Sequence, residues 1–301
     1  MTIVVQGLGR MGMQIARKLA EDGHHVIALN RSPEPVAQAV GYGAVGAANK
    51  QEVLQHFGDE PVVVWVMLPA DIVDTEIVEW LALVPTGSTI IDGGNSDYRL
   101  TQKRNQLVQD KGCKLVDIGT SGGVWGYQNG FSMMIGGDDA DAVAALDPVL
   151  KTLAAPEGAY HHFGPSGAGH FVKMTHNAIE YGMMESLAEG YRILKEGPYN
   201  TLDLAAAGEV WQHHSVITSW LNELSRDALR ENPQLEGIDG FVAESGEARW
   251  TLETAKAMDI DLPSIQAAFD VRLASQQGQT NFATKLLAAM RHRFGGHNLN
   301  Q

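Results

Sequence analysis

The chain has 301 residues, 44% of them apolar and 19% charged, and its 36 acidic and 22 basic side chains leave a formal charge of −14. That apolar share supports the packed core of one large domain or two ordinary ones and excludes a disordered chain, while the acidic balance argues against nucleic acid as the main partner. The single cysteine, Cys113, excludes a disulfide framework and a cysteine-only metal site; no apolar run reaches the ~20 residues of a membrane span, and an N-terminus with Gly7 and Gly9 but no basic region does not read as a signal peptide, so the expected location is cytoplasmic.

In chain order, Thr2–Gln6 reads as a buried strand and residues 11–22 carry helical periodicity. Further strands are expected over residues 26–29, 62–67, Thr89–Asp92, 114–117 and 131–135, the last ending at Gly136-Gly137. Continuous apolar strands separated by helices imply a parallel sheet covered on both faces. Past Gly164-Pro165-Ser166-Gly167 the strand-like runs stop. Helices are then expected over 170–195, 201–208, 217–229, 247–258, 264–276 and 283–293, punctuated at Gly197-Pro198, Asn232-Pro233 and Leu262-Pro263. The reading is an α/β, Rossmann-type doubly wound domain over residues 1–165, followed by an all-α domain over 166–301.

Gly7-Leu8-Gly9-Arg10-Met11-Gly12 fits G-x-G-x-x-G between a strand and a helix. In that setting Gly7 permits the turn, Gly9 lets the backbone approach a pyrophosphate, and Gly12 lets helix and strand pack closely. The helix N-terminus offers free N–H groups to the phosphates. NAD-binding chains usually end the second strand on an acid that binds the ribose hydroxyls. Here that place holds Asn30-Arg31-Ser32. Asn30 does not repel a 2′-phosphate, Arg31 can pair with it or stack on adenine, and Ser32 adds a hydroxyl. NADP is therefore favoured over NAD, with a solvated Arg31 as the alternative.

The helix after residue 166 places Lys173, His176, Asn177, Glu180 and Tyr181 at i, i+3, i+4, i+7 and i+8, on one face. An amine, an imidazole, an amide, a carboxylate and a phenol are unlike an ordinary solvated stripe. Phe171, Val172, Ile179 and Met183 around them suggest a partly dry cleft. Lys173 is a candidate general base and Glu180 a candidate general acid; a solvated helix face is the alternative. Two loops following strands, Asp92-Gly93-Gly94-Asn95-Ser96 and Gly119-Thr120-Ser121-Gly122-Gly123, are placed to meet a ligand, or serve only as tight turns. The pairs His24-His25, His161-His162 and His213-His214 lack metal-like spacing, and no metal site is expected.

Together these segments, with Met67-Leu68-Pro69 and the run from Gly169 to Tyr181, resemble the 6-phosphogluconate dehydrogenase family in its short-chain form, within the β-hydroxyacid dehydrogenases. The resemblance covers nearly the whole chain. It implies oxidative decarboxylation of a phosphorylated sugar acid. In it Lys173 is the base, Glu180 the acid, and Asn177 their catalytic neighbour. Met67, Leu68, Pro69 and Asn95 join the cofactor site. Asn95, Ser121, Gly122, Gly123, His176 and Asn177 hold the substrate, and Tyr181 and Arg272 bind its phosphate. Arg291 and His297, in Arg291-His292-Arg293-Phe294-Gly295-Gly296-His297, are implied to complete a neighbouring subunit's site in a homodimer or dimer-based tetramer.

One segment departs from the family. Long members carry Lys-Gly-Thr-Gly-Lys-Trp, whose first lysine binds phosphate; this chain reads Ser245-Gly246-Glu247-Ala248-Arg249-Trp250. The departure keeps a second reading open, a dehydrogenase for another 3-hydroxy acid, sulfonated or unphosphorylated. A dinucleotide-binding sensor without turnover is a third.

Overall fold

In a computed structural model describing residues 1–155, 158–199 and 201–300, the chain divides into two compact units, Met1–Met174 and Thr175–Gln301. The first alternates strands and helices: β1 (Thr2–Gln6), α1 (Arg10–Glu21), β2 (His25–Leu29), α2 (Pro33–Gly41), β3 (Val45–Ala47), α3 (Lys50–Gln55), β4 (Val63–Val66), α4 (Ala70–Leu81), β5 (Thr89–Asp92), α5 (Tyr98–Asp110) and β6 (Lys114–Ser121). It continues with α6 (Gly126–Asn129), β7 (Ser132–Gly136), α7 (Ala140–Ala145), α8 (Asp147–Leu153) and β8 (Tyr160–Gly164). The long helix α9 (Ala168–Glu196) carries the chain across the division. The second unit adds α10 (Leu204–Gln212), α11 (Trp220–Glu231), α12 (Glu247–Ala257), α13 (Pro263–Gln276) and α14 (Phe282–Gly295).

The sheet order is β3-β2-β1-β4-β5-β6-β7-β8. Pairing is parallel from β3 through β6, antiparallel at β6–β7, and parallel again at β7–β8. The fully parallel sheet expected from the apolar runs therefore reverses once. The segment between β6 and β7 is too short for a parallel crossover. Alternation across the pleat divides the core. Ile3, Val5, Trp65, Ile91 and Val116 pack with Ile15, Leu19, Val149 and Leu153 of α1 and α8. Val4, Val64, Val66, Ile90 and Leu115 pack with Val73, Ile77, Trp80 and Val108 of α4 and α5.

Strand-to-helix composition changes at 165/166, but the packing division falls at 174/175. The first turns of α9 belong to the sheet unit, for reasons visible at the site. The second unit packs Met184, Ala188 and Tyr191 of α9 with Leu224 and Leu229 of α11 and Leu286, Leu287 and Met290 of α14. Among the described residues, no helix is long and apolar enough to cross a membrane.

Candidate active site

Order reverses between β1 and β4, so the loops after these strands face a crevice at their carboxyl ends, where open α/β sheets bind ligands. Gly7 has φ +93°, and a Cβ there would run into the Met67 carbonyl; one on Gly12 would run into the Gly7 carbonyl. Gly9, by contrast, faces open space and caps α1 without a side-chain hydrogen bond. The start of α1 thus leaves open space beside Gly9 and first-turn N–H groups that can donate to an anion such as a pyrophosphate. The Asn30 side chain points back into this loop. Its Oδ1 accepts from Leu8 N at 3.0 Å and its Nδ2 donates to Ser32 O at 3.2 Å. Asn30 therefore braces the glycine turn, a role its place beside a ribose did not suggest. Arg31 and Ser32 are exposed at the end of β2. Among the nearby cradle residues Arg10 is also exposed, and Met11, Met67 and Leu68 are half-buried.

The loop carrying Asn95 is held from beneath. Arg104 of α5 is 3% exposed and donates to Asp92 at 2.8 Å, Ser96 at 2.8 Å and Asp74 at 2.5 Å. These bonds tie β5, the loop and α4 together and leave Asn95 exposed at the tip.

The start of α9 is set by one carboxylate. Asp117 of β6 is fully buried; its Oδ1 accepts from Gly167 N and its Oδ2 from His170 N, both at 2.8 Å. It satisfies two of the orphan donors of a helix N-terminus with negative charge at the positive end of the dipole. His170 is also fixed through its Nδ1 to Thr101 Oγ1 at 2.7 Å. The backbones approach closely because glycines meet there. A Cβ on Gly169 would lie 2.5 Å from Met134 O, one on Gly136 2.5 Å from Asp117 Oδ1, and one on Gly119 would collide with Cβ of Lys173. Lys173, 7% exposed, is thereby seated against β6. The glycines of 119–123 are not all loop, as expected, because β6 runs on through Ser121 in antiparallel register with β7. Gly122 and Gly123 then turn the chain at φ +135° and +56°.

In the second unit, α9 continues with the other predicted residues. Asn177 Nδ2 donates to Glu247 Oε1 at 2.8 Å, and His176 Nδ1 lies 2.9 Å from Asn177 Oδ1. Tyr181, 4% exposed, accepts from Ser245 N at 3.3 Å, and Arg272 stacks on its ring at 3.2 Å from the centroid. Arg272 is 2% and Arg291 7% exposed. Burial pulls the Arg272 guanidinium down to about 10, with Arg291 adding to the fall and Tyr181 opposing it. Burial also lowers Arg291, against the pull of Tyr181, Glu180 and Glu247. Among the described residues neither arginine has an ion-pair partner.

The resemblance placed Arg291 in a neighbour's site. Here its charge is felt by Tyr181, Glu180 and Glu247 of its own chain, because α14 is packed into the helical core. His297 follows the left-handed cap at Gly296 and packs edge-on to Phe294. Phe171, Ile179 and Met183, expected to wall a dry cleft, are 39%, 51% and 46% exposed; Phe171 packs edge-on to Tyr98, and Ile179 and Met183 lie on a different side of α9 from Ala178 and Tyr181. Sequence reasoning had assigned no role to Asp117 or Arg104, and had noted Glu247 only as an acid in the departing segment.

Residues 2–164 match the model of the NAD binding domain of 6-phosphogluconate dehydrogenase, and residues 169–301 match the 6-phosphogluconate dehydrogenase C-terminal domain. A Bacillus subtilis protein provisionally named a 6-phosphogluconate dehydrogenase is 36% identical over 99% of this chain and 98% of its own. A Haloferax volcanii protein named as the NAD(+)-dependent, decarboxylating 6-phosphogluconate dehydrogenase is 35% identical over the same shares. The fold is that of the Plasmodium falciparum 6-phosphogluconate dehydrogenase, with a TM-score of 0.81 over 96% of this chain and 70% of that one, at 24% identity.

Proposed function

Because the chain belongs to the 6-phosphogluconate dehydrogenase family, we propose that this oxidoreductase oxidatively decarboxylates 6-phosphogluconate to ribulose 5-phosphate. The observation that carries the phosphate is the pair of buried arginines, 272 and 291, without ion-pair partners among the described residues and grouped around Tyr181. A buried guanidinium without an anion is costly, and a phosphate ester supplies one with bidentate geometry. These two cations stand in for the lysine that Ser245 replaces.

The residues fit a dinucleotide, with Gly7–Gly12, Met67, Leu68, Pro69 and Asn95 around its phosphates and nicotinamide and Arg31 and Ser32 at a 2′-phosphate. NADP is the proposed cofactor, with NAD as the competitor. When bound, its nicotinamide serves as the electron acceptor. Lys173 takes the proton of the C3 hydroxyl, and afterwards, as an ammonium, it holds the oxygen that becomes an enolate when the β-keto acid loses CO₂. Glu180 delivers a proton to C2. Ser121 and the amides of Gly122 and Gly123 hold the carboxylate end, and His176 and Asn177 bind hydroxyls.

We further propose a homodimer, or a tetramer built from it. Exposed Ile179 and Met183 on α9 support an apolar contact. His297, past the end of α14, is proposed to reach the neighbour's site. Sedimentation or light scattering tests this, and a monomer at assay concentration would overturn it.

Steady-state rates on 6-phosphogluconate and gluconate, with CO₂ measured against reduced nucleotide, test the reaction. The expected result is one CO₂ per turnover and a kcat/KM preference for the phosphorylated acid on the order of 10²-fold or more. Equal rates would refute it in favour of a dehydrogenase for another 3-hydroxy acid, the reading that Ser245 favours.

A further inference from the structure

Glu247 opens α12 and is only 1% exposed. Gly246 before it has φ +102°, with no room for a side chain because the Trp250 ring lies 2.5 Å from where a Cβ would stand. This turn directs the acid inward. Its Oε1 accepts from Asn177, but its Oε2 is buried and among the described residues has no hydrogen-bond partner. A buried carboxylate oxygen without a donor is a costly arrangement that a ligand hydroxyl would relieve. The Asn177 amide is fixed at both ends: Nδ2 faces Glu247, so Oδ1 faces His176, whose Nδ1 must then carry the proton. Arg291 is near enough to feel the Glu247 charge. The unfilled acceptor therefore belongs to the same cluster as the two unpaired arginines.

We propose that Glu247 is a specificity-determining residue: Oε1 holds Asn177 in one amide orientation, and Oε2 accepts a hydrogen bond from a hydroxyl of the substrate's polyol chain. The site thus recognises a polyhydroxy acid by an anion-seeking arginine pair at one end and a hydroxyl-seeking carboxylate beside it. This inference rests on the proposed substrate. A threonine, which the long family motif places here, is too short to do both tasks.

The test uses the full chain as wild type, E247Q and E247T, with inorganic phosphate and 6-phosphogluconate as probes in calorimetric titration, followed by kinetics. E247Q keeps an oxygen for Asn177 and loses the charged acceptor. Its Kd and KM for 6-phosphogluconate should rise about tenfold, the worth of one charge-assisted hydrogen bond, with kcat within about threefold. Its Kd for inorganic phosphate should stay the same or fall, since a nearby negative charge is gone. E247T should lose kcat as well, because Asn177 is released. Equal weakening of both probes in E247Q would overturn the proposal by making Glu247 a purely structural residue, and unchanged binding of both would overturn it too. Wild type that binds phosphate but not 6-phosphogluconate would overturn the substrate reading and this inference with it. A wild type that binds both, beside an indifferent E247Q, would overturn this inference alone.

Discussion

Replacing Asp117 by Asn tests whether the first turns of α9 are positioned from β6. The carboxylate uses one oxygen for Gly167 N and the other for His170 N, each at 2.8 Å. An asparagine offers one acceptor and confronts the second N–H with an NH₂ group. The loss is one charge-assisted bond, roughly 1.5–3 kcal/mol, plus up to about 2 kcal/mol of charge–dipole attraction in a buried setting. A total of about 2–5 kcal/mol is a large share of the 5–15 kcal/mol typical of folded domains, so the variant should fold with a lowered midpoint in urea. Amide exchange over residues 168–173 should speed up more than exchange in β1 or β4, because the lost bonds are local. Lys173 lies one turn beyond His170, and a shift of about 1 Å in a catalytic group can cost 10²-fold. The expected kcat is therefore 10- to 100-fold lower, with KM for the nucleotide little changed, since the glycine cradle is untouched. Unaltered exchange over 168–173 together with unaltered kcat would refute the claim that Asp117 positions Lys173, the proposed base.

Gly119→Ala should lower kcat by at least tenfold with little loss of nucleotide affinity, because its methyl group would collide with Lys173 Cβ; steady-state kinetics and nucleotide titration check it, and wild-type kcat would refute the close contact. Arg31→Ala should raise KM for NADP at least tenfold while changing KM for NAD less than threefold, and equal effects would refute the 2′-phosphate assignment. Glu185 on α9, buried beside the like charge of Glu189 and opposed only by Arg272, is pushed up to about 7 from an ordinary value of 4.5. Its folded state holds the proton more tightly than the unfolded chain does, so stability falls as pH rises from about 4.5 through 7. That shift corresponds to roughly 3 kcal/mol at most, and about 1–2 kcal/mol once solvent screening is allowed for. Glu185→Gln should therefore gain about 1–2 kcal/mol on wild type between pH 5 and pH 8 in urea melts, and parallel pH profiles would refute the assignment.

How far the sequence could be read depended on whether a signal was local. Residues 2–6, 62–67 and 89–92 announce themselves because both sheet faces are buried, which makes the middle of each strand a continuous apolar run, Ile3-Val4-Val5, residues 62–67 and Ile90-Ile91. β3, only Val45-Gly46-Ala47, and β8, Tyr160-His161-His162-Phe163-Gly164, carry no such run and exist by pairing at the sheet's far positions. The same division separates the site residues. Lys173, Asn177 and Glu180 can be nominated as candidates from the sequence because a single helix spaces them. Asp117 and Glu247 act on that helix from 53 and 70 positions away, as their hydrogen bonds to His170 and Asn177 record, and no periodicity links them to it. Glycine shows the limit most clearly. Gly7 and Gly12 could be interpreted because the cradle they form lies within one loop, whereas Gly119, Gly136 and Gly169 look like dispensable turn residues until β6, β7 and α9 converge. At that meeting the missing side chains are the structural requirement: a methyl group on any of the three would push the helix off the sheet and carry Lys173 with it.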